Sequence, residues 1–166
     1  MPAPEVVRTA RLHCERFTLD HVAELALLDA DPNVQATVFG STYTYDQTRE
    51  RTERRTRFWD ENGYGDYVVR LHDGTFIGTG GLFPSHQPGA IALGYTLLPE
   101  HWGQGYATEL AISLAAVAEQ LEPTQVVAIV LETNLASRRV LEKAGFALVG
   151  PYVEDPGTVL YRFADR

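Results

Sequence analysis

The stretch Leu97-Leu98-Pro99-Glu100-His101-Trp102-Gly103-Gln104-Gly105-Tyr106-Ala107-Thr108 decides how the chain is read. A strand ends at Pro99, a loop with two glycines follows, and an alanine-rich helix begins directly after it. The first turn of a helix carries N–H groups without intrahelical partners, at the positive end of the helix dipole. Two glycines let a ligand approach the backbone closely. Together these features make an anion site suited to a pyrophosphate. The Lys and Ser/Thr of the nucleotide P-loop are missing. Gly103-Gln104-Gly105 is followed by Thr108 where the dinucleotide fingerprint requires glycine. Taken alone, Gly-x-Gly before a helix serves equally well as a tight turn.

Working outward, residues 91–98 read as a strand and 105–121 as a helix with Leu110, Leu114, Val117 and Leu121 on one stripe. Residues 126–131 form a continuous apolar run, the pattern of a strand covered on both faces. Asn134 can cap a helix running to 144, with Gly145 as its stop. Strands at 147–153 and 158–163 follow, joined by Asp155-Pro156-Gly157. Upstream, 67–71 and 76–83 make a hairpin around His72-Asp73-Gly74. The N-terminal third reads as one strand over 7–17 and a short helix through Val22, Leu25 and Leu28, stopped by Asp31-Pro32. A second helix over 46–59 has Glu50 to Arg54 and Glu53 to Arg57 at i,i+4 spacing and ends at Asn62-Gly63. The order β-α-α-β-β-β-α-β-α-β-β is that of a mixed-sheet α/β protein with a β-α-β crossover in its second half.

The chain has 166 residues, 45% hydrophobic and 22% charged, which fits one globular domain over 1–166 with a sizeable core. No apolar run is long enough to span a bilayer. Residues 1–11 hold no apolar signal-peptide core, and Cys14 stands alone, so a reducing cytoplasm is the expected location. A net charge of −8 argues against a nucleic-acid binder, which needs a basic footprint. The five histidines show no metal-ligand spacing, and no metal or membrane partner is expected. Cys14, early in a strand, reads as a small buried hydrophobe. The cluster Arg49, Arg51, Arg54, Arg55 and Arg57 reads as a solvated helix face, with a grip on an acidic acceptor or on a phosphate as the sharper alternative.

A second stretch, Asn134-Leu135-Ala136-Ser137-Arg138-Arg139-Val140-Leu141-Glu142-Lys143-Ala144-Gly145-Phe146, completes a recognisable pair with the first. In this order and separation the two closely resemble the GNAT superfamily of acyl-CoA-dependent N-acyltransferases. The branch they look most like is the ribosomal-protein N-terminal acetyltransferase type. Thr9-Ala10-Arg11-Leu12 is similar to the opening of that branch, so the likeness covers nearly the whole chain. It implies a GNAT-like fold: a central, mostly antiparallel sheet flanked by helices, with a β-α-β crossover. It also implies acetyl-CoA as acyl donor and a primary amine as acceptor, either a small molecule or a protein N-terminus. A homodimer is compatible with it.

Position by position, the family's pyrophosphate loop has Gln or Arg, two free positions, Gly, one free position, then Gly or Ala. Here Trp102, Gly105 and Ala107 take the first, fourth and sixth places. The resemblance therefore assigns the phosphates to the N–H groups of Gly103, Gln104, Gly105, Tyr106 and Ala107, with the Thr108 hydroxyl beside them. Leu97 and Leu98 would offer backbone groups to the pantetheine arm, and a backbone N–H near Leu97 would hold the oxyanion. Asn134 and Ser137 match the contacts near the thiol, which makes Ser137 the first choice as general acid. From the residues alone, Asn134 and Ser137 are also helix caps, and Trp102 is also a packing residue.

Many relatives carry a Glu two residues before the Gly-Tyr of the central strand; this chain has Ala92 there. Glu132 is then the first candidate for a base, with Glu154 and His101 behind it. An α-amine acceptor, whose pKa is about 7.7–8.0, needs less help from a base than a lysine near ~10.4. A non-catalytic acyl-CoA sensor is the competing function that Ala92 keeps open. The loops at 39–45 and 84–88 would touch the acceptor, but they contain no transferable code for it.

Overall fold

Apolar residues that alternate along strands and recur along helices are satisfied by one sheet with helices on both faces. The computed structural model describes residues 1–38 and 40–164. In chain order the elements are β1 (Val6–Arg8), β2 (Leu12–Arg16), α1 (Val22–Asp29), α2 (Pro32–Gln35), α3 (Tyr45–Asn62), β3 (Asp66–Leu71), β4 (Phe76–Pro84) and β5 (Ile91–Leu97). They continue with α4 (Tyr106–Glu119), β6 (Val126–Leu131), α5 (Leu135–Lys143), β7 (Phe146–Pro151) and β8 (Thr158–Phe163). The sheet order is β1-β2-β3-β4-β5-β6-β8-β7, and among these ladders only β5 with β6 is parallel. The expected mixed sheet with a crossover, β5-α4-β6, is what the chain forms.

Two expectations in the N-terminal third are corrected. The single strand over 7–17 is a hairpin, with Val6 opposite Glu15 and Arg8 opposite His13. Thr9 turns the chain: its N–H donates to the Leu12 carbonyl at 3.0 Å, and its Oγ1 accepts from the Leu12 N–H at 3.0 Å. Asp31-Pro32 not only ends α1 but starts α2. Asp31 accepts from the Asn33 and Val34 N–H groups as an N-cap, and Pro32 needs no N–H in a first turn. On α3, Thr44 and Gln47 form a capping box, and Gly63 closes the helix at φ 75°. The ion pair on its outer face is Arg49–Glu53 at 3.5 Å rather than either expected pair.

Strand alternation assigns the two faces. Tyr67 and Val69 point with Gly80 toward α4, where a methyl on Gly80 would lie 2.9 Å from Leu110 and 3.0 Å from Leu114. Asp66 and Val68 point to the other face, where Val68 packs with Phe17 and with Leu25 of α1. Cys14 is fully buried, and that burial pushes its thiol up to about 12, so it packs rather than reacts. No described helix is long and apolar enough to cross a membrane.

Candidate active site

β5 and β6 pair at only two positions, Ile91 with Val126 and Ala92 with Val127. Beyond them the strands splay, and β6 continues its pairing with β8 instead. A cleft of about 600 Å³ opens at this splay. It is lined by Gly94 and Thr96 from one face of β5 and by Tyr95 from the other, so it passes through the sheet. On the α4 side its walls include Ala107, Thr108, Asn134 and Ser137. On the α1 and α3 side they include Asp29, Arg51, Arg55 and Asp66.

The phosphate loop has the geometry that an anion needs. Gly103 and Gly105 sit at φ 72° and 83°, a region L side chains adopt at a cost. The N–H groups of residues 103–108 donate to no acceptor among the described residues; the first to do so is that of Glu109, to the Gly105 carbonyl at 3.1 Å. Six consecutive donors therefore lie free at the N-terminus of the 14-residue α4. The Gln104 side chain turns back to the Glu100 carbonyl at 3.1 Å. Tyr106 and Ala107 are half-buried, and Thr108 stands in the cleft wall with a hydroxyl that makes no bond among the described residues. Arg139 and Lys143, one turn apart on α5, add positive charge to the same side.

Arg11 straps this loop from the far edge of the sheet. Its Nη1 donates to the Gln104 carbonyl at 2.8 Å, its Nε to Glu109 at 2.7 Å, and its guanidinium stacks 4.5 Å from the Tyr106 ring centroid. Its backbone N–H and the Thr9 hydroxyl also donate to Glu109, at 2.8 and 2.5 Å. Burial pushes the Glu109 carboxyl up, but these donors together outweigh it and hold the group below its ordinary range.

On the strand, the Leu97 carbonyl accepts from the Trp102 indole at 2.8 Å and the Leu98 N–H donates to Ile77 at 2.8 Å. Trp102 therefore packs back on the strand, half-exposed. The Ile91 N–H points toward β6, to the Gln125 carbonyl, so by alternation the backbones of Tyr95 and Leu97 also face the splay. The Leu97 N–H is thus directed into the splay, whereas the Leu97 carbonyl and Leu98 N–H are already engaged.

Asn134 caps α5 by accepting from the Ser137 N–H at 3.1 Å, and its Nδ2 donates to the Thr37 carbonyl at 3.2 Å. Ser137 lies in the cleft wall with its Oγ 2.9 Å from the Tyr95 hydroxyl. Burial pushes the Tyr95 phenol up to about 12, with the Ser137 bond pulling the other way. Nothing in the sequence singles out Tyr95; only the packing of α5 on β5 brings its hydroxyl to Ser137.

Of the base candidates, His101 lines the cleft beside the loop. Glu132 does not. It is exposed at the end of β6, where its carbonyl accepts from Arg138 at 3.1 Å. Glu154 is exposed as well and is held by the Tyr152 hydroxyl at 3.0 Å. Ala92 is buried against Phe83 and Val127 and offers no carboxylate at that position. The arginine cluster divides: Arg51 and Arg55 reach the cleft, while Arg49, Arg54 and Arg57 stay exposed. Asp66, which the sequence does not single out, lies in the cleft wall at 4% exposure. Phe39, in the first expected acceptor loop, lies outside the described residues.

The family model for the acetyltransferase (GNAT) domain matches residues 11–147. The FsC-acetyl coenzyme A-N(2)-transacetylase of Aspergillus fumigatus is 29% identical over 163 residues, covering 89% of this chain and 67% of that protein. The uncharacterized protein YkkB of Bacillus subtilis is 31% identical over 141 residues, covering 81% and 80%. An acetyltransferase structure from Agrobacterium tumefaciens superposes with a TM-score of 0.83 at 27% identity, over 98% of this chain and 96% of that one.

Proposed function

The chain belongs to the GNAT acetyltransferase family and is an acetyl-CoA-dependent N-acetyltransferase, and we propose that it passes the acetyl group directly to a primary amine within a ternary complex. The observation that carries this reading is the run of six undonated N–H groups, 103–108, at the mouth of a cleft that passes through the sheet. The loop receives the pyrophosphate from the α4 side. The exposed backbone edge of β5 at Tyr95 and Leu97 receives the pantetheine arm as an added strand. The amine enters from the α1 and α3 side, so donor and acceptor meet in the splay from opposite faces.

At that meeting point the Leu97 N–H polarises the thioester carbonyl and holds the oxyanion that forms on attack. Ser137 donates its proton toward the departing sulfur, with the Tyr95 hydroxyl as its hydrogen-bond partner. The acceptor is a small-molecule amine or a protein N-terminus.

The test measures thiol release from acetyl-CoA over a panel of small amines and peptide N-termini, beside calorimetric binding of CoA. Release with at least one amine is the expected result. Tight CoA binding with no release from any of them overturns catalysis and leaves the acyl-CoA sensor.

A further inference from the structure

The cleft has a buried carboxylate that is only loosely engaged by the described residues. Asp29 and Asp66 both line its acceptor half. Asp29 is engaged at Oδ2, which accepts from the Thr48 hydroxyl at 2.9 Å and from Arg51 Nη1 at 2.8 Å. Asp66 is only 4% exposed, yet its carboxylate accepts no hydrogen bond among the described residues. Its one partner is Arg55 Nε at 3.4 Å, beyond normal hydrogen-bond length. Burying an anion with so little compensation is costly, and such a cost is retained at sites that use the group.

Register shows where the carboxylate points. Asp66 lies opposite Gly81, and Gly81 opposite Gly94, in one row across β3, β4 and β5. A methyl on Gly81 would sit 2.8 Å from Asp66 Oδ1, so the carboxylate leans over β4. The two glycines add no side chain of their own along this row, leaving a trough toward the splay that is flanked at Gly94 by the Phe83 ring, 3.2 Å from where a methyl there would be. At a strand spacing of about 4.8 Å, the distance from β4 to the splay is roughly 7 Å, enough for one water and one amine nitrogen.

Resting on the acetyl-transfer reading above, we propose that Asp66 is the proton acceptor for the incoming amine, acting through one water in the Gly81–Gly94 trough. The ammonium gives one proton to Asp66. The N–C bond forms as the C–S bond breaks; Ser137 gives its hydroxyl proton to the sulfur, and the nitrogen's second proton returns to the Ser137 oxygen. The charged groups facing Asp66 are Arg55 and Arg51 on α3 and Asp29 on α1. Burial pushes the Asp66 carboxyl up, the two arginines pull it down, and Asp29 adds to the rise, leaving it above the ordinary range. That direction suits a base working on an amine.

The experiment uses the full chain with acetyl-CoA and an amine active in the thiol-release panel. For Asp66→Asn, kcat/KM for the amine is expected to fall by about 10²-fold, with the acidic limb of its pH profile lost and CoA affinity unchanged. Arg55→Gln removes the cation that pulls Asp66 down, so the same limb should move to higher pH. It also carries the test if Asp66→Asn does not fold. An Asp66→Asn enzyme within threefold of wild type, or a limb that stays in place in Arg55→Gln, overturns the proposal. Those results leave the acetyl-transfer reading intact, whereas a wild-type chain silent with every amine overturns that reading and this one with it.

Discussion

Ser137 and Tyr95 meet through a 2.9 Å bond between hydroxyls and a 3.3 Å bond from the Tyr95 hydroxyl to the Ser137 carbonyl, and under the proposed mechanism the two contribute differently to departure of the thiol. A free serine hydroxyl is a weak acid, so it helps the sulfur only when held in short contact with it. Tyr95, with its phenol pushed up to about 12, stays protonated through the neutral range and fixes the Ser137 rotamer. Ser137→Ala is therefore expected to lower kcat by roughly 10²-fold at saturating amine while calorimetric affinity for CoA holds. Tyr95→Phe removes one neutral hydrogen bond, a net contribution of about 1 kcal/mol, and should cost only about fivefold. Its kcat against pH should match wild type up to about pH 10, because the phenol does not ionise there. Equal losses in the two variants would exchange their roles. A Ser137→Ala enzyme at full rate, with chemistry rate-limiting, would show that the thiolate leaves unassisted.

Between elements, the link to watch is the strap from the β1–β2 turn to the start of α4. Arg11 holds the Gln104 carbonyl inward, so the neighbouring N–H groups of the loop are left pointing outward. Its Nη2 lies 3.2 Å from where a methyl on Gly105 would be, close to the expected phosphates. Removing one hydrogen bond from a charged donor costs about 1.5 kcal/mol. Arg11→Gln should thus weaken CoA roughly tenfold and leave pantetheine, which has no phosphates, unaffected in the same calorimetric titration. A loss shared by both ligands would mean that the strap supports the fold and not the loop. Glu109 makes the strap pH-dependent. Its folded value lies below the ordinary 4.5, so its contribution to stability is present above that pH and disappears as pH falls through the folded value. Melting curves should show wild type losing stability below about pH 4.5 more steeply than Glu109→Gln, which is less stable at neutral pH.

In the whole molecule, the cleft lies where β5 and β6 part, with α4 packed over a sheet that remains paired on either side of it. Leu110 and Leu114 are fully buried over Gly80, where a methyl would meet them at 2.9 and 3.0 Å, well inside van der Waals contact. Leu114→Ala opens a cavity under the phosphate helix and should cost about 3 kcal/mol. For a chain of this length that lowers Tm by roughly 6–12 °C, read by circular dichroism. Much of this architecture is legible in the residues themselves. The apolar period of 91–98, 105–121 and 126–131 specifies strand, helix and strand, and Gly103 and Gly105 mark a loop opening onto a helix N-terminus. Asn134 and Gly145 bound the last helix. These features are local: they depend on propensity, capping and alternation within a dozen residues, which is why they survive in one dimension. The hairpin at Thr9 was not legible, because an alternating run continues as well as a strand or as two, and a polar turn among polar residues leaves no mark. Nor could periodicity show that β5 and β6 stop pairing after two residues, since the splay is set by β6 turning to β8. The contacts between Arg11 and Gln104, Tyr95 and Ser137, and Arg55 and Asp66 join different elements. An aspartate at the head of a strand reads as solvated surface until α3 is laid across it. The chain's own pattern determined most of the elements and the glycine loop opening onto a helix N-terminus, while only tertiary packing decided which polar side chains lose their water and come together, because burial depends on partners distant in sequence.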